Sequence, residues 1–251
     1  MIQIQPSYKN GQAYIDLAEK EGLTFEVLEL SCGETLTEGI SEKALDYYKH
    51  SGLVTSLHGA FIDIFPISPD PDIRAISIDK VRRSCELALT LDSKNIVFHT
   101  SAVHTLDGKA LNGWAIKAAE FYDALAREYD LNIFIENFFD LLPIELGLLM
   151  KYSKDQRVNV CLDLGHANIS HRPPASWFEE LGDNVKYLHL SDNNGVYDDH
   201  VELGAGKLDF DAIGKNIVEN LNEIPVTLEV KGIDSTKKAI EYLRDLQARY
   251  S

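Results

Sequence analysis

The chain has 251 residues, 45% hydrophobic and 25% charged, which is the balance of a core-forming globular sequence. Its formal net charge is −16, so its overall field repels polyanions and argues against DNA or RNA as the main partner. No run approaches 18 consecutive apolar residues, and the opening MIQIQPSYKNGQ has no basic segment leading into an apolar one, so neither a membrane span nor a secretory signal is expected.

Short apolar runs alternate with longer amphipathic stretches along the whole chain. In order, the strand-like runs are IQIQ at 2–5, FEVLEL at 25–30, VTSLH at 54–58, NIVFH at 95–99, NIFIE at 132–136, VNVCLD at 158–163, VKYLHL at 185–190 and VTLEV at 226–230. Between them, helical spacing puts Ile78, Val81, Cys85, Ala88 and Leu89 on one face, and Ala239, Ile240, Leu243 and Leu246 on another. Asp79 and Asp209 read as residues near helix starts, where a carboxylate meets the positive end of the dipole.

Eight strands alternating with helices predict an α/β fold, a (β/α)8 TIM barrel forming a single domain over residues 1–251. The runner-up is an open doubly wound sheet, but PSYKNGQ after the first run is no Gly-rich phosphate loop. A P-loop and a G-x-S-x-G elbow are also lacking, and no nucleotide cofactor is expected. Cys32, Cys85 and Cys161 are odd in number and far apart, with no CxxC pair, which fits a reduced, cytoplasmic setting. Cys161 reads as a small core residue, Trp114 and Trp177 as packing residues, and His50, His104 and His171 as surface residues.

The ends of the strands carry the chemistry. VTSLH ends in His58, NIVFH in His99, NIFIE in Glu136 and VNVCLD in Asp163; VKYLHL carries His189 and VTLEV carries Glu229. Strand alternation turns Ile96 and Phe98, Ile133 and Ile135, Val160 and Leu162, and Val226 and Leu228 to the side away from the polar residues. The apolar face then packs under helices, and the polar residues point into the barrel mouth. A lone His or Glu at a strand end is commonly a hydrogen-bonded rim residue. Six strands ending this way are harder to explain so, because Glu136, Asp163 and Glu229 would repel one another in one mouth. A divalent cation removes that repulsion, and neutral imidazoles can complete its shell. His166, three residues past Asp163, joins the same group.

The segment HLSDNNGVYDDHVELGAGKLDF after the seventh run adds a D-x-H pair, Asp198 and His200, with Asp199 as the register alternative. An extended backbone would point Asp198 and His200 the same way. Asp192 and Asn193 either orient substrate hydroxyls or cap the turn.

The ordered set LHGAF, VFHT, IENF, LDLGHAN, HLSDNNG, DDHVELGAGKLDF and LEV resembles the xylose isomerase-like barrel superfamily, which includes sugar phosphate isomerases and epimerases, inosose dehydratases and endonuclease IV. The resemblance runs from about Val54 to Lys231. Its ketose 3-epimerase branch implies one divalent metal (Mn, Zn, Co or Mg) on Glu136, Asp163, His189 and Glu229. There the two glutamates serve as acid and base, and His166 binds substrate oxygens. The endonuclease IV branch implies three zinc ions on the larger set His58, His99, Glu136, Asp163, His166, His189, Asp198, His200 and Glu229. The expected function is a metal-dependent isomerase or epimerase of a small sugar or sugar phosphate, working through an enediolate. The alternatives are a multi-metal phosphoesterase and a non-catalytic metabolite-binding barrel. A homo-oligomer remains open.

Overall fold

Each of the eight apolar runs forms a strand in the computed structural model, which describes residues 1–31, 35, 39–102, 107–138 and 140–250. Cys32 and His104 lie outside the described residues. In chain order the elements are β1 (Ile2–Ile4), α1 (Gly11–Glu21), β2 (Thr24–Val27), α2 (Glu42–Ser51), β3 (Val54–His58), α3 (Pro71–Thr90), β4 (Asn95–His99), α4 (Gly108–Tyr129) and β5 (Asn132–Glu136). They continue with α5 (Ile144–Tyr152), β6 (Val158–Asp163), α6 (Leu164–Ile169), α7 (Pro174–Leu181), β7 (Val185–Leu190), α8 (Phe210–Asn220), β8 (Val226–Leu228) and α9 (Ile233–Tyr250). Every strand pairs in parallel with its sequence neighbours, and β1 pairs with β8, which closes the barrel.

The alternation read from the sequence is the alternation observed. Ile96, Phe98, Ile133, Ile135, Val160, Leu162, Val226 and Leu228 are all buried in the layer between barrel and helices. Full burial of such a side chain contributes roughly 1.5–3 kcal/mol. The opposite parity fills the barrel itself, where Val97, Phe134, Cys161 and Tyr187 form one small apolar cluster. Three runs are trimmed: β2 ends at Val27, β1 at Ile4 and β8 at Leu228, so Glu229 stands one residue past its strand. Its backbone still donates to Leu190 O at 2.9 Å, which holds it against the end of β7.

Two helix expectations need correction. Asp79 is in the middle of α3, paired with Arg83 at 2.9 Å on the surface; the cap is Asp70, which accepts from Asp72 N and Ile73 N just before Pro71. Leu89 is 42% exposed, because the buried face of α3 follows Ser77, Val81, Ser84, Cys85 and Ala88 instead. Asp209 does cap α8, accepting from Ala212 N. No described helix is long and apolar enough to cross a membrane.

Candidate metal centre

Strand register assembles the site. On neighbouring strands, β4–β5 pairing sets His99 beside Glu136, and β6–β7 pairing sets Asp163 beside His189. Asp163 then caps α6 by accepting from His166 N at 2.5 Å, so the strand's last carboxylate fixes where the imidazole three residues on begins. Gly165 permits this turn: a Cβ there would lie 2.4 Å from Ser191 Oγ. Asn137, buried beside Glu136, locks β5 to β6 by donating to Asp163 O and accepting from Asp163 N.

All nine residues of the larger set converge. Their donor atoms fall into three groups, each spanning no more than 4.8 Å: Glu136, Asp163, His189 and Glu229; His58, His99 and Glu136; and His166, Asp198 and His200. Glu136 belongs to the first two groups. Cys161 lies against Glu136 and His189, but burial pushes its thiol well above its ordinary range, which keeps it protonated among the core residues.

Four of the histidines are oriented by a hydrogen bond from one ring nitrogen. His58 Nδ1 donates to Gly59 O at 3.0 Å, His166 Nδ1 to Asn137 O at 2.8 Å and His200 Nδ1 to Glu229 O at 3.0 Å. His189 uses Nε2 for the buried Glu26 carboxylate at 3.0 Å. In His58, His189 and His200 one nitrogen is thus committed and the other faces a carboxylate, whereas His166 Nδ1 also lies 3.2 Å from Glu136 Oε1 and 3.4 Å from Asp163 Oδ1. His58 Nε2 is 3.2 Å from Glu136 Oε2, and His189 Nδ1 is 3.3 Å from Glu136 Oε1 and 3.4 Å from Glu229 Oε1. His166 Nε2 is 3.4 Å and His200 Nε2 2.8 Å from Asp198 Oδ2. A neutral imidazole presents a lone pair on that side, so nitrogen and carboxylate repel unless a proton or a cation lies between them.

This arrangement fits a metal. An imidazole that donates its outer N–H to a carbonyl or carboxylate is the usual state of a metal-ligating histidine. Ligand atoms about 2.1 Å from one tetrahedral ion lie about 3.4 Å from each other, close to most of the separations above. Glu136 Oε1, Asp163 Oδ2, His189 Nδ1 and Asp198 Oδ1 are buried with no hydrogen-bond partner among the described residues, a costly condition that a cation relieves.

Two glutamates sit in opposite electrostatic conditions. Burial opposes a charge on Glu136, but the surrounding His189, His99 and His166 rings hold it well below the ordinary carboxylate range. Burial, opposed by His189 and reinforced by the Glu136 and Asp163 charges, pushes Glu229 up to about 7. In the ion-free site Glu136 is therefore ionised while Glu229 can carry a proton near neutral pH; a cation held by both favours the charged form of each.

Sequence reasoning missed several parts of the site. Glu26 accepts from His189, Tyr187 at 2.5 Å, Thr227 at 2.9 Å and Gln5 at 2.9 Å, all beneath the mouth. Burial works against its charge, yet His189 and His58 bring it down to about 2. Gln5 also donates to Glu229. Phe61 and Phe138, inside the quoted LHGAF and IENF, flank the imidazoles as walls of the mouth cavity.

Asp192 and Asn193 do not face the cavity. Asp192 is fully buried and accepts from the backbone N–H groups of Asn193, Gly204, Gly206 and Leu208. Asn193 is held by Gly165 O, Asn168 and Gly195 N. Of the two readings of this pair, these hydrogen bonds match the turn-holding one, and neither residue lines the mouth cavity.

Residues 15–246 match the family described as xylose isomerase-like TIM barrel. Uncharacterized protein MJ1614 of Methanocaldococcus jannaschii is 28% identical over 229 residues, 87% of each chain. Fructoselysine 3-epimerase of Escherichia coli O157:H7 is 29% identical over 177 residues, 64% of this chain and 61% of that protein. Among solved structures, the TTHB071 protein of Thermus thermophilus soaked with ZnCl2 superposes with a TM-score of 0.81 at 22% identity, covering 99% of this chain and 98% of the other. A D-tagatose 3-epimerase-like protein gives 0.77 at 20% identity, covering 99% and 97%. At these identities the structural likeness shows the fold, and the family match is the stronger statement: the chain belongs to the xylose isomerase-like TIM barrel family.

Proposed function

We propose that the protein is a divalent metal-dependent isomerase or epimerase of a small sugar. The observation that carries this reading is the buried quartet Glu136, Asp163, His189 and Glu229, whose donor atoms all lie within 4.8 Å of one another. The likeness to fructoselysine 3-epimerase and to a D-tagatose 3-epimerase-like structure supports the reaction class, and the ZnCl2-soaked neighbour supports a metal. The imidazole and carboxylate donors suit Zn, Mn or Co, with Mg less favoured by the nitrogen ligand.

A divalent ion held by these four residues would polarise a substrate carbonyl and its neighbouring hydroxyl, making the C–H between them more acidic. Glu136 removes that proton, and Glu229 delivers one to the enediolate from the other side, with the roles exchanged in the reverse direction. Asp163 and His189 hold the geometry, and Glu26 holds His189. The test is solvent-deuterium incorporation into D-fructose and other ketoses, followed by proton NMR on the metal-loaded enzyme. Exchange at the carbon next to the carbonyl is expected. Glu136→Gln and Glu229→Gln should each lower it by about a hundredfold or more, while circular dichroism stays that of the folded chain. Wild-type exchange in both variants would remove the acid and base assignment.

A second reading, a metal-cluster phosphoesterase, draws on one observation: the flanking sets His58, His99 and Glu136, and His166, Asp198 and His200, are each complete enough to hold a further ion. Four carboxylates outweigh one divalent ion but are outweighed by three, so only the filled cluster would attract a phosphate.

A further inference from the structure

An apolar cavity adjoins the mouth. The mouth itself is about 220 Å³ and is lined by the imidazoles and carboxylates together with Leu28, Phe61, Ile62 and Phe138. A second cavity, about 280 Å³, shares Phe61, Ile62, His99 and Phe138 with it. Phe61 lies edge-on to His58 at 5.1 Å, and Phe138 stacks on His99 at 4.2 Å, so the two phenyl rings form the lip between the chambers. Beyond the lip, Ile64, Phe65 and Ala102 complete the apolar wall. Ile62 and Phe65 are left 58% and 37% exposed.

Charge sharpens the picture. No Lys or Arg lines either cavity, and every Lys and Arg of the chain is among the described residues. Lys231, which follows β8, turns its Nζ to Asp199 O at 3.1 Å. The charged residue that does line the second cavity is Asp63, an anion.

We propose that this side cavity is a subsite for an uncharged, apolar substituent of the substrate: the enzyme takes a neutral sugar joined to an aryl or alkyl group, not a sugar phosphate. The proposal rests on the sugar isomerase or epimerase reading of the metal centre. A cavity of about 150 Å³ lined by aliphatic and aromatic residues is enough to hold benzene, and this one is larger. A ring placed there covers Ile62 and Phe65 and removes apolar surface from water. A phosphate placed there would lose its hydration, meet no cationic side chain and face Asp63. The two chambers share Phe61, Ile62, His99 and Phe138, so a substituent seated in the second leaves its sugar beside the metal centre.

The experiment is calorimetry on the metal-loaded full chain with 1-O-methyl-D-fructose, 1-O-phenyl-D-fructose and D-fructose 6-phosphate, all of which keep the carbonyl that the metal centre needs. The phenyl ether should bind about tenfold or more tighter than the methyl ether. Ala102→Leu, which fills the cavity, should cut that preference to about threefold or less while changing methyl ether binding by less than about twofold. Phe65→Ala, a partly exposed position safe for folding, should cut it in the same direction by removing a wall. Equal binding of the two ethers, no binding of either, a preference that survives both variants, or tightest binding of the phosphate would each overturn the proposal. Its failure is separable from that of the parent reading. Deuterium exchange into a ketose without a phenyl preference sinks the subsite alone. A phenyl preference lost in both variants, with no ketose exchange, keeps the subsite and sinks the epimerase.

Discussion

Glu26 orders the site through His189. It accepts the outward N–H of His189 and so leaves Nδ1 facing Glu136 and Glu229. Loss of such an orienting partner typically costs 10–100-fold in metal affinity. Glu26→Gln is therefore expected to weaken divalent-ion binding by about 10–100-fold, measured by competition with a chromophoric chelator, with the fold retained. Unchanged affinity would show that His189 is oriented without it. The residue was legible in principle. Phe25 and Val27 alternate with Glu26 in FEVLEL just as Ile135 alternates with Glu136, and the same parity argument turns Glu26 inward. A reading of strand ends passes over it, because Glu26 sits lower in its strand, beneath the mouth. The strand-end residues, by contrast, could be read directly, since a buried run that stops at a carboxylate or imidazole leaves that group at the barrel rim.

At the scale of elements, the loop after β7 is built around one buried carboxylate. Asp192 accepts four backbone N–H groups and an antiparallel bridge joins it to Val201, which positions Asp198 and His200 between. Asp192→Ala would leave several buried donors unpaired, at a cost of roughly 2–4 kcal/mol. Denaturant unfolding should show that loss, and the His166–Asp198–His200 group should loosen with it. A near-neutral change would mean that water replaces the carboxylate. Gly206→Ala should act on the same loop, because its Cβ would fall 2.3 Å from both Asn193 O and Asp192 Oδ1. Spacing alone could not reveal this. The D-x-H pair does meet, but not through extended backbone: His200 has φ of 51°, a left-handed conformation that turns its ring back onto Asp198. The buried hub was equally hidden, since its four partners come from residues up to sixteen positions away.

For the whole molecule, the charge and the barrel act together. A net charge of −16 and a carboxylate-rich mouth store repulsion that a divalent ion relieves. An ion that binds only the folded chain stabilises it by about 2.7 kcal/mol at a hundred times its dissociation constant. Addition of Mn or Zn to chelator-treated protein should therefore raise the unfolding temperature. A Tm indifferent to metal would argue against a site formed only on folding. The same charge predicts weak binding to duplex DNA containing an abasic site at physiological salt; tight binding that collapses as salt rises would expose a local basic surface and favour the phosphoesterase reading.

The most direct measurement is the metal content of the chain purified without added metal, compared with the number of ions needed to restore deuterium exchange after chelation. The account predicts one tightly held divalent ion per chain, lost in Asp163→Asn and sufficient for activity. A chain that holds no divalent ion, or one that recovers activity only when three are bound, would contradict it.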